Sequence, residues 1–319
     1  MAKRAGELKK SGIALLVNLR SRKALRDPKF LDHLEEAFGD RGPFVTSRNP
    51  SELPSALADV QRTDPEILLV CGGDGTLRQT LTHLLAAYGG KPLPRIAILP
   101  AGTMNTVATS LGITGSPLHR LQYLLQRRNQ QVPFTVARRH LLEMNRHFGF
   151  IFGLGGFAHF IENYSERENP TPFRGFTLLA KTILSALVDG PFSKQMFPDF
   201  NASVWRDDQP FLQDATITNV AAASIRHIGF RFKPFFGAEQ PDGEFGMLVF
   251  RTRPRSLLFH LPRLFTGKPV SDPNLIQLPA KSALVKLNSP QRPMLDGDLL
   301  NASKEFQLRS GPSVDFVVA

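Results

Sequence analysis

The sequence predicts two domains, a doubly wound parallel α/β domain and a mostly antiparallel β domain. Up to about residue 131, short apolar runs typical of buried parallel strands alternate with amphipathic helical segments. From about residue 132, apolar and polar residues alternate and turn dipeptides recur, which favours antiparallel strands. The apolar run 314–318 predicts a strand that returns to the first domain. We therefore expect an α/β domain over 1–131 and about 305–319, and a β domain over 132–304.

The first domain repeats a strand–helix order. Apolar runs predict its strands at 13–18, 44–46, 66–71 and 95–99. Apolar residues at helical spacing predict its helices at about 28–38, 51–60, 77–85 and 118–128. Parallel sheets of this kind bind ligands beyond the carboxyl ends of their strands. The loops that follow the third and fourth strands are therefore candidates for a site.

The second domain combines strands with two helices. Its strand candidates are 132–138, 141–145, 148–153, 201–206, 214–221, 245–250, 282–288 and 293–300. The helical stretches are 173–188 and 256–265. Most of the chain's 25 phenylalanines fall within 132–300. They predict an aromatic core, and some of them are alternatively candidates for lining a slot that holds an acyl chain.

Composition and charge narrow the classes of protein. With 319 residues, 42% of them hydrophobic and 21% charged, the chain is expected to be globular. The net charge of +11 favours an anionic partner: a nucleotide, an anionic membrane surface or a nucleic acid. The only cysteine, Cys71, excludes an internal disulfide and fits a reducing compartment. No run has transmembrane length or a signal-peptide pattern, so we expect a soluble, cytoplasmic protein.

One stretch of the second domain indicates a membrane contact. Residues 247–271 contain no acidic side chain, and their apolar residues are mixed with basic ones: Arg251, Arg253, Arg255, Arg263 and Lys268. A basic amphipathic helix is typical of peripheral binding to an anionic membrane surface. The alternative is an ordinary solvated helix face. Nucleic-acid binding is not expected, since the other basic residues are scattered and form no recognisable module.

The most informative motif follows the third strand of the first domain. Gly72-Gly73-Asp74-Gly75-Thr76 joins this strand to a helix, a geometry that offers backbone N–H groups to a phosphate. The glycines are expected to supply positive φ and close approach, and Thr76 is expected to cap the helix. A carboxylate repels phosphate, so Asp74 indicates a divalent cation between the two. The alternative is an ordinary glycine-rich turn.

Two further polar segments have both a structural and a functional interpretation. The fourth strand ends in 100–106, which alone resembles a capped helix start but should lie beside Asp74 at the same sheet edge. Asp296-Gly297-Asp298 contains Asp-Gly, the strongest short hairpin signal. A carboxylate such as Asp298 could instead accept the proton of an alcohol during phosphoryl transfer.

Taken together, these motifs resemble a known family. Gly72 to Thr76, followed by Leu99-Pro100-Ala101-Gly102-Thr103-Met104-Asn105 and Ala108, is similar to the catalytic domain of diacylglycerol and sphingosine kinases. Bacterial soluble lipid kinases are nearest in size. The second domain shows Asn219, Asp242-Gly243 and Leu295-Asp296-Gly297-Asp298 in the expected order. NAD kinases and phosphofructokinases share the glycine motif, so the second loop carries the more specific part of the resemblance.

The resemblance implies a fold, an activity and roles for individual residues. ATP would bind between the α/β domain and a C-terminal antiparallel β-sandwich, and its γ-phosphate would pass to a lipid hydroxyl with Mg²⁺ present. Asp74 would organise Mg²⁺ and phosphates, Asp296 and Asp298 would supply the catalytic carboxylates, and Asp242 would hold a structural Mg²⁺. The nucleotide-binding set would be Asn18, Gly72, Gly73, Gly75, Thr76, Gly102, Thr103 and Asn105.

The chain departs from the family pattern at several of these positions. Arg78-Gln79 stand where the family commonly has Asn-Glu, and Thr106 stands where it has Asp. The presumed base is Asp298 rather than Glu, and Leu19 replaces a proline. Two carboxylates of the expected metal network are therefore missing, which bears on metal affinity, turnover and choice of acceptor.

Three functions remain open at this point. The first is an ATP-dependent lipid kinase at the cytoplasmic membrane face, acting on a lipid such as diacylglycerol or a sphingoid base. The second is an NAD-kinase-like phosphotransferase, although 100–106 does not resemble a dinucleotide-binding strand exit. The third is a non-catalytic binder of nucleotide or lipid. Oligomeric state, a homodimer included, is left open.

Overall fold

The computed structural model describes residues 12–165, 172–229, 232–240, 242–251 and 254–318. The chain divides into two compact units. The first unit comprises Met1–Gly102, Ile113–Arg138 and Val314–Ala319, and the second comprises Thr103–Gly112 and Arg139–Ser313. The loop that follows the fourth strand therefore divides after Gly102, whereas the sequence placed that whole loop in the first domain and set the boundary at 131/132.

The described secondary structure consists of α-helices, β-strands and a short 3₁₀ helix at Pro50–Glu52. The strands are β1 (Ile13–Asn18), β2 (Phe44–Ser47), β3 (Ile67–Gly72), β4 (Arg95–Pro100), β5 (Val136–Met144), β6 (His147–Gly149), β7 (Ile151–Gly155), β8 (Phe200–Arg206), β9 (Gln209–Ile217), β10 (Asn219–Ala223), β11 (Phe245–Phe250), β12 (Leu275–Ala280), β13 (Ser282–Gln291), β14 (Met294–Leu295), β15 (Asp298–Leu299) and β16 (Ser303–Val317). The helices are α1 (Arg22–Arg26), α2 (Phe30–Phe38), α3 (Leu53–Thr63), α4 (Asp74–Tyr88), α5 (Thr106–Ser110), α6 (Pro117–Asn129), α7 (Gly156–Ser165), α8 (Pro172–Leu187), α9 (Pro191–Met196) and α10 (Pro254–Thr266).

A parallel sheet forms the centre of the first unit. Its order is β2-β1-β3-β4, and Phe316 at the end of β16 pairs with Ile96 of β4. β3 is buried along its whole length, as expected for a strand with helices on both faces. One face packs on α2 and α6 through residues such as Leu34 and Leu121, while α4 packs on β3 and on α3. The predicted doubly wound parallel α/β fold is confirmed.

Two antiparallel sheets form the second unit. One has the order β9-β8-β13-β16, with β5 beside β16 and β6 beside β5; the other has the order β12-β11-β10-β7-β14-β15. Their inward side chains share one core, in which the rings of Phe152 and Phe306 lie 5.8 Å apart. The predicted antiparallel β-sandwich is confirmed, and its aromatic core is formed as expected.

The helices of the second unit were only partly predicted. α8 and α10 confirm the stretches 173–188 and 256–265, and α8 packs against both α9 and α10. α7, α9 and β12 were not predicted from the sequence. β16 is much longer than the predicted strand at 314–318, because its first part pairs with β13 of the second unit. Within the described ranges, no helix combines the length and the apolar character needed to cross a membrane.

Candidate functional site

The turn between β3 and α4 presents a helix N-terminus at the carboxyl edge of the parallel sheet. β3 ends at Gly72, and α4 begins at Asp74 with Gly73 as its N-cap. No side chain caps this end of the helix. Because the first-turn N–H groups of a helix have no acceptor within it, they point toward the space beyond the sheet edge. This arrangement suits an anionic ligand such as a phosphate group.

The glycines of the turn are required for space rather than for positive φ. A Cβ on Gly72 would lie 2.5 Å from Cβ of Thr76, and a Cβ on Gly73 would lie 3.1 Å from Cα of Gly102. None of Gly72, Gly73 and Gly75 adopts the left-handed region, so the expectation of positive φ is wrong. Gly75 differs from the other two, since a Cβ there would meet no atom within 4 Å. The backbone is therefore open to a ligand at Gly75 and closely packed at Gly72.

Asn18 connects the loop after β1 to the first turn of α4. Its Nδ2 donates to Oγ1 of Thr76 at 2.7 Å, and its Oδ1 accepts from the backbone N–H of Arg20 at 2.8 Å. Thr76 is the third residue of α4, so the expectation that it caps the helix is wrong. The structure thus brings together Asn18 and Thr76, two residues that the sequence placed in the nucleotide-binding set.

The loop after β4 lies beside this turn. Gly72 and Pro100 are register partners, and the N–H of Ala101 donates to the carbonyl of Gly72 at 2.9 Å. The carbonyl of Ala101 accepts from the N–H of Lys23 at 3.2 Å. Lys23 belongs to α1, a short helix that the sequence did not predict. Arg22 and Arg26 lie in the same helix, and Arg20 precedes it. The positive charge near the turn complements an anionic ligand.

Thr103 and Asn105 belong to the second unit. Asn105 adopts the left-handed conformation with φ 49° and ψ 48°, and its carbonyl accepts from the N–H of Thr109 at 2.9 Å as α5 begins. Asparagine is one of the few residues that tolerate this region. The predicted helix start after the fourth strand is therefore present, and the role of Thr103 and Asn105 in binding a nucleotide stays a prediction.

Asp74 is the first residue of α4, where a carboxylate interacts favourably with the helix dipole. The described residues contain no cluster of three or more His, Cys, Asp or Glu side chains able to hold a metal ion. Mg²⁺ commonly binds through one or two carboxylates, with waters and substrate phosphates as its other ligands. A single carboxylate at the N-terminus of a helix fits this mode of binding, and Asp74 would be the residue to hold the ion.

Asp242, the second predicted metal ligand, is exposed in a turn of the second unit. The turn is closed by the N–H of Gly243, which donates to the carbonyl of Gln240 at 3.2 Å. Gly243 has φ +75°, the left-handed region that favours glycine. Binding of a structural Mg²⁺ by Asp242 stays a prediction.

Asp296 and Asp298 lie in one tight hairpin of the second unit. Leu295 pairs with Asp298, and the two central residues have φ 51° (Asp296) and φ 90° (Gly297), as in a type I′ turn. The hairpin interpretation of Asp-Gly is confirmed. Asp298 is the exposed first residue of β15, directly after the turn.

The carboxylate of Asp296 binds backbone N–H groups. Oδ1 accepts from Ile151 at 2.8 Å, and both oxygens lie 3.0 Å from the N–H of Phe150. The N–H of Asp296 donates in turn to the carbonyl of Ile151 at 2.9 Å. These bonds attach the hairpin to the start of β7 and thereby fix the position of Asp298. Asp296 accordingly has a structural task, and its direct catalytic role stays a prediction.

Asn219 and Arg78, two polar residues considered in the sequence analysis, are both buried. Asn219 is fully buried on β10, and its Oδ1 accepts from the N–H of Phe157 at 3.0 Å in the first turn of α7. The sequence contained Asn219 in the expected order but gave no sign of this capping role, since its partner lies 62 residues away. Arg78, which departs from the family pattern, is buried in the second turn of α4.

Cysteine chemistry is excluded at this edge of the sheet. Cys71 is buried directly before the turn, and burial raises the pKa of its thiol to about 12. The thiol therefore stays protonated and is not a nucleophile at neutral pH.

The fold and the turn define a class of protein. A doubly wound parallel sheet with a glycine turn, an uncapped helix N-terminus and an acidic first-turn residue is characteristic of proteins that bind phosphate groups. Residues 12–137 match the family model of the diacylglycerol kinase catalytic domain. This match confirms the resemblance that the two loop motifs predicted.

Proteins that are similar in sequence or in structure also carry the names of lipid kinases. Two Staphylococcus aureus proteins, from strains MSSA476 and MW2, each named "Putative lipid kinase", are 25% identical over 196 residues. Each alignment covers 61% of this chain and 57% of the relative's length. The crystal structure of a "putative diacylglycerol kinase" from Bacillus anthracis str. Sterne superimposes with a TM-score of 0.71 and 14% identity, covering 98% of both chains. At that identity the superposition shows a shared fold.

Proposed function

We propose that this protein is an ATP-dependent lipid kinase that transfers the γ-phosphate of ATP to a hydroxyl group of a lipid such as diacylglycerol or a sphingoid base. The observation that carries the proposal is the β3–α4 turn. It combines an uncapped helix N-terminus, a backbone open at Gly75, and the carboxylate of Asp74. The family match over residues 12–137 and the names of the relatives support a kinase with a lipid acceptor.

In this proposal the first unit binds the nucleotide. The first-turn N–H groups of α4 would bind phosphate oxygens, and Asn18 would hold Thr76 and the loop after β1 in place. The loop after β4, with Gly102, would complete the nucleotide side. Asp74 would contribute the carboxylate for Mg²⁺, which neutralises phosphate charge when it is bound.

The second unit would supply the base. The acceptor hydroxyl oxygen forms a bond to the γ-phosphorus, the bond from the γ-phosphorus to the β,γ-bridging oxygen breaks, and ADP leaves with that electron pair. The hydroxyl proton passes to the carboxylate of Asp298, which the Asp296 hairpin holds exposed. A peripheral, cytoplasmic enzyme would meet its acceptor in a membrane.

The experiment that tests the proposal compares two aspartates that each occupy the first turn of a helix. Purified full-length protein is incubated with radiolabelled ATP, Mg²⁺ and total membrane lipid. Asp74→Asn should reduce labelling of lipid by at least about 100-fold. The substitution removes the carboxylate that would hold Mg²⁺, and with it the neutralisation of charge at the transferred phosphoryl group. Asp32→Asn, at the exposed start of α2, should retain the rate of the unmodified protein.

Other outcomes would point to the other functions. Nucleotide binding measured by calorimetry without any labelled lipid would favour a non-catalytic binder, for which the residues Arg78, Gln79 and Thr106 would be the reason. Labelling of NAD in place of lipid would favour an NAD-kinase-like phosphotransferase. Equal labelling by the Asp74 and Asp32 variants would contradict the role given to the β3–α4 turn.

A further inference from the structure

α8 exposes an apolar stripe to solvent. Phe173, Phe176, Leu184 and Leu187 are all exposed, and Val188 continues the stripe beyond the last turn. At about 100° per residue, the four residues of α8 fall within about 80° of the helix circumference, so they lie on one side of the helix. Phe173 is 75% exposed and Val188 76% exposed. Phe173 and Phe176 lie near the start of α8, and Leu184, Leu187 and Val188 lie at its end. Single apolar residues are common on protein surfaces, but several large ones on one side of a helix mark an interaction site.

α10 exposes a phenylalanine between two arginines. Phe259 is 78% exposed, and Arg255 and Arg263 lie one turn before and one turn after it. The opposite side of α10 is buried through Leu257 and Leu264. α10 therefore has a buried apolar side and a solvent side that carries both a large aromatic ring and basic charge.

The two helices meet where these features adjoin. α8 packs against α10, and Nη1 of Arg255 lies 3.8 Å from Oδ2 of Asp189, the residue that follows Val188. The end of the apolar stripe is thus next to the basic start of α10. On the neighbouring surface Nζ of Lys181 lies 3.9 Å from the ring centre of Phe192.

Among the residues that the structure describes, the exposed charged side chains of α8 and α10 are all basic. The sequence has no acidic residue in 172–188 or in 247–271. The nearest carboxylates, Asp189 and Asp272, are bound by Arg255 and by His260, the latter with Nε2 2.6 Å from Oδ2. Arg251, Arg255, Arg263 and Lys268 are exposed, while Arg253 lies outside the described residues.

We propose that the exposed sides of α8 and α10, which we call the two-helix face, dock onto the surface of an anionic lipid bilayer. Large apolar side chains would enter the interfacial region while the surrounding cations bind lipid headgroups. A second copy of the chain is a poorer occupant, because two such faces would bring positive charges together. The inference deepens the proposed function. Docking to the bilayer does not depend on kinase activity, and only the identity of the acceptor lipid rests on the proposed function.

Vesicle binding tests the two-helix face without nucleotide or turnover. Full-length protein is sedimented with vesicles of phosphatidylcholine alone and with vesicles that also contain phosphatidylglycerol. Binding to the anionic vesicles should be strong and should weaken with salt. The pair Arg255→Gln and Arg263→Gln should reduce the partition coefficient about fivefold for each arginine, and only on anionic vesicles. The pair Leu184→Ser and Phe259→Ser should reduce it at least about tenfold on the same vesicles.

Matched controls distinguish binding through the two-helix face from nonspecific adsorption to vesicles. Leu25→Ser removes an apolar side chain that is 70% exposed on α1, and Arg62→Gln removes an exposed arginine of α3. Neither control should change vesicle binding. Equal loss in the controls, or full binding by the Leu184/Phe259 pair, would overturn the proposal.

Two further readouts keep this inference distinct from the proposed function. Phosphorylation of a short-chain acceptor dissolved as monomers should be unchanged in the face variants, because no bilayer is involved. If vesicle binding is as expected but no acceptor is phosphorylated, the docking surface stands and the kinase proposal fails. If the wild-type protein forms a dimer that the Leu184/Phe259 pair dissociates, and does not bind vesicles, a second copy occupies the face and the inference is wrong.

Discussion

Replacement of Gly72 by alanine would place a methyl group inside the first turn of α4. The new Cβ would lie 2.5 Å from Cβ of Thr76 and 2.6 Å from its Oγ1 and Cγ2. Ordinary van der Waals contact begins near 3.4 Å, so Thr76 or the strand end would have to move by about 0.9 Å. The Thr76 side chain cannot rotate away cheaply, because it is β-branched and its hydroxyl is bound by Asn18.

The size of the effect follows from this displacement. Overpacking of a close-packed site typically costs about 1–3 kcal/mol of folding free energy. In a chain of this size, each kcal/mol lowers the midpoint of thermal unfolding by about 2–4 °C. In the proposed kinase reaction, a shift of almost 1 Å at the β3–α4 turn should also reduce turnover by up to about 100-fold, since positioning is the main requirement of phosphoryl transfer.

Gly75→Ala is the matched control for this substitution. Its Cβ would meet no atom within 4 Å, and alanine is the better helix former, so stability should be unchanged or higher by up to about 1 kcal/mol. Differential scanning calorimetry of both variants gives the comparison. The packing argument fails if Gly72→Ala unfolds at the same temperature as Gly75→Ala. A Gly75→Ala variant that binds ATP as tightly as the unmodified protein would show that phosphate does not approach this backbone.

Two further predictions concern other parts of the chain. Asp296→Ala should destabilise the protein by about 2–4 kcal/mol, because it removes the acceptor of two backbone N–H groups, whereas Asp298→Asn should lower turnover of the proposed reaction with the smaller loss of stability; the reverse pattern would exchange their roles. Arg138 donates Nε to Asp315 Oδ1 at 2.7 Å and Nη2 to Oδ2 at 3.0 Å, and these bonds lower the pKa of Asp315. The pair therefore contributes its stability above the ordinary aspartate pKa of about 4 and loses it as the pH falls through the lowered value, and the effect is small because solvent screens the exposed Arg138. Urea unfolding at neutral and acidic pH should show a smaller loss for Arg138→Gln than for the unmodified protein, and an equal loss would contradict this assignment.

The sequence predicted well those elements whose signal is local. β3 and α4 are recognisable because an apolar run, glycines and a helical spacing of leucines stand next to each other. The hairpin at Asp296-Gly297 is recognisable because Asp-Gly favours the positive φ that a type I′ turn requires. The fold class followed from the repetition of such local signals.

Contacts between distant residues were not predictable in this way. The hydroxyl of Thr76 is bound by Asn18, which is 58 residues away, so a capping rule that considers only neighbouring residues assigned it wrongly. α7 begins where the N–H of Phe157 donates to Asn219, which is 62 residues away, so no local pattern marks the start of this helix. Periodicity predicted α8 as a helix but not that several of its large apolar residues are exposed. Burial depends on the tertiary packing around a helix, which its own sequence does not specify.

Hydrogen bonds connect the three loops at the carboxyl edge of the parallel sheet. Asn18 binds Thr76, Ala101 binds the carbonyl of Gly72, and the N–H of Lys23 binds the carbonyl of Ala101. Residues that share a hydrogen-bond network do not respond independently to substitution. The free energies of substitutions in these loops are therefore coupled, and a change of the α1 segment alters the β3–α4 turn although it contains none of the turn's residues. Engineering of this edge has to treat the loops as a single unit of design.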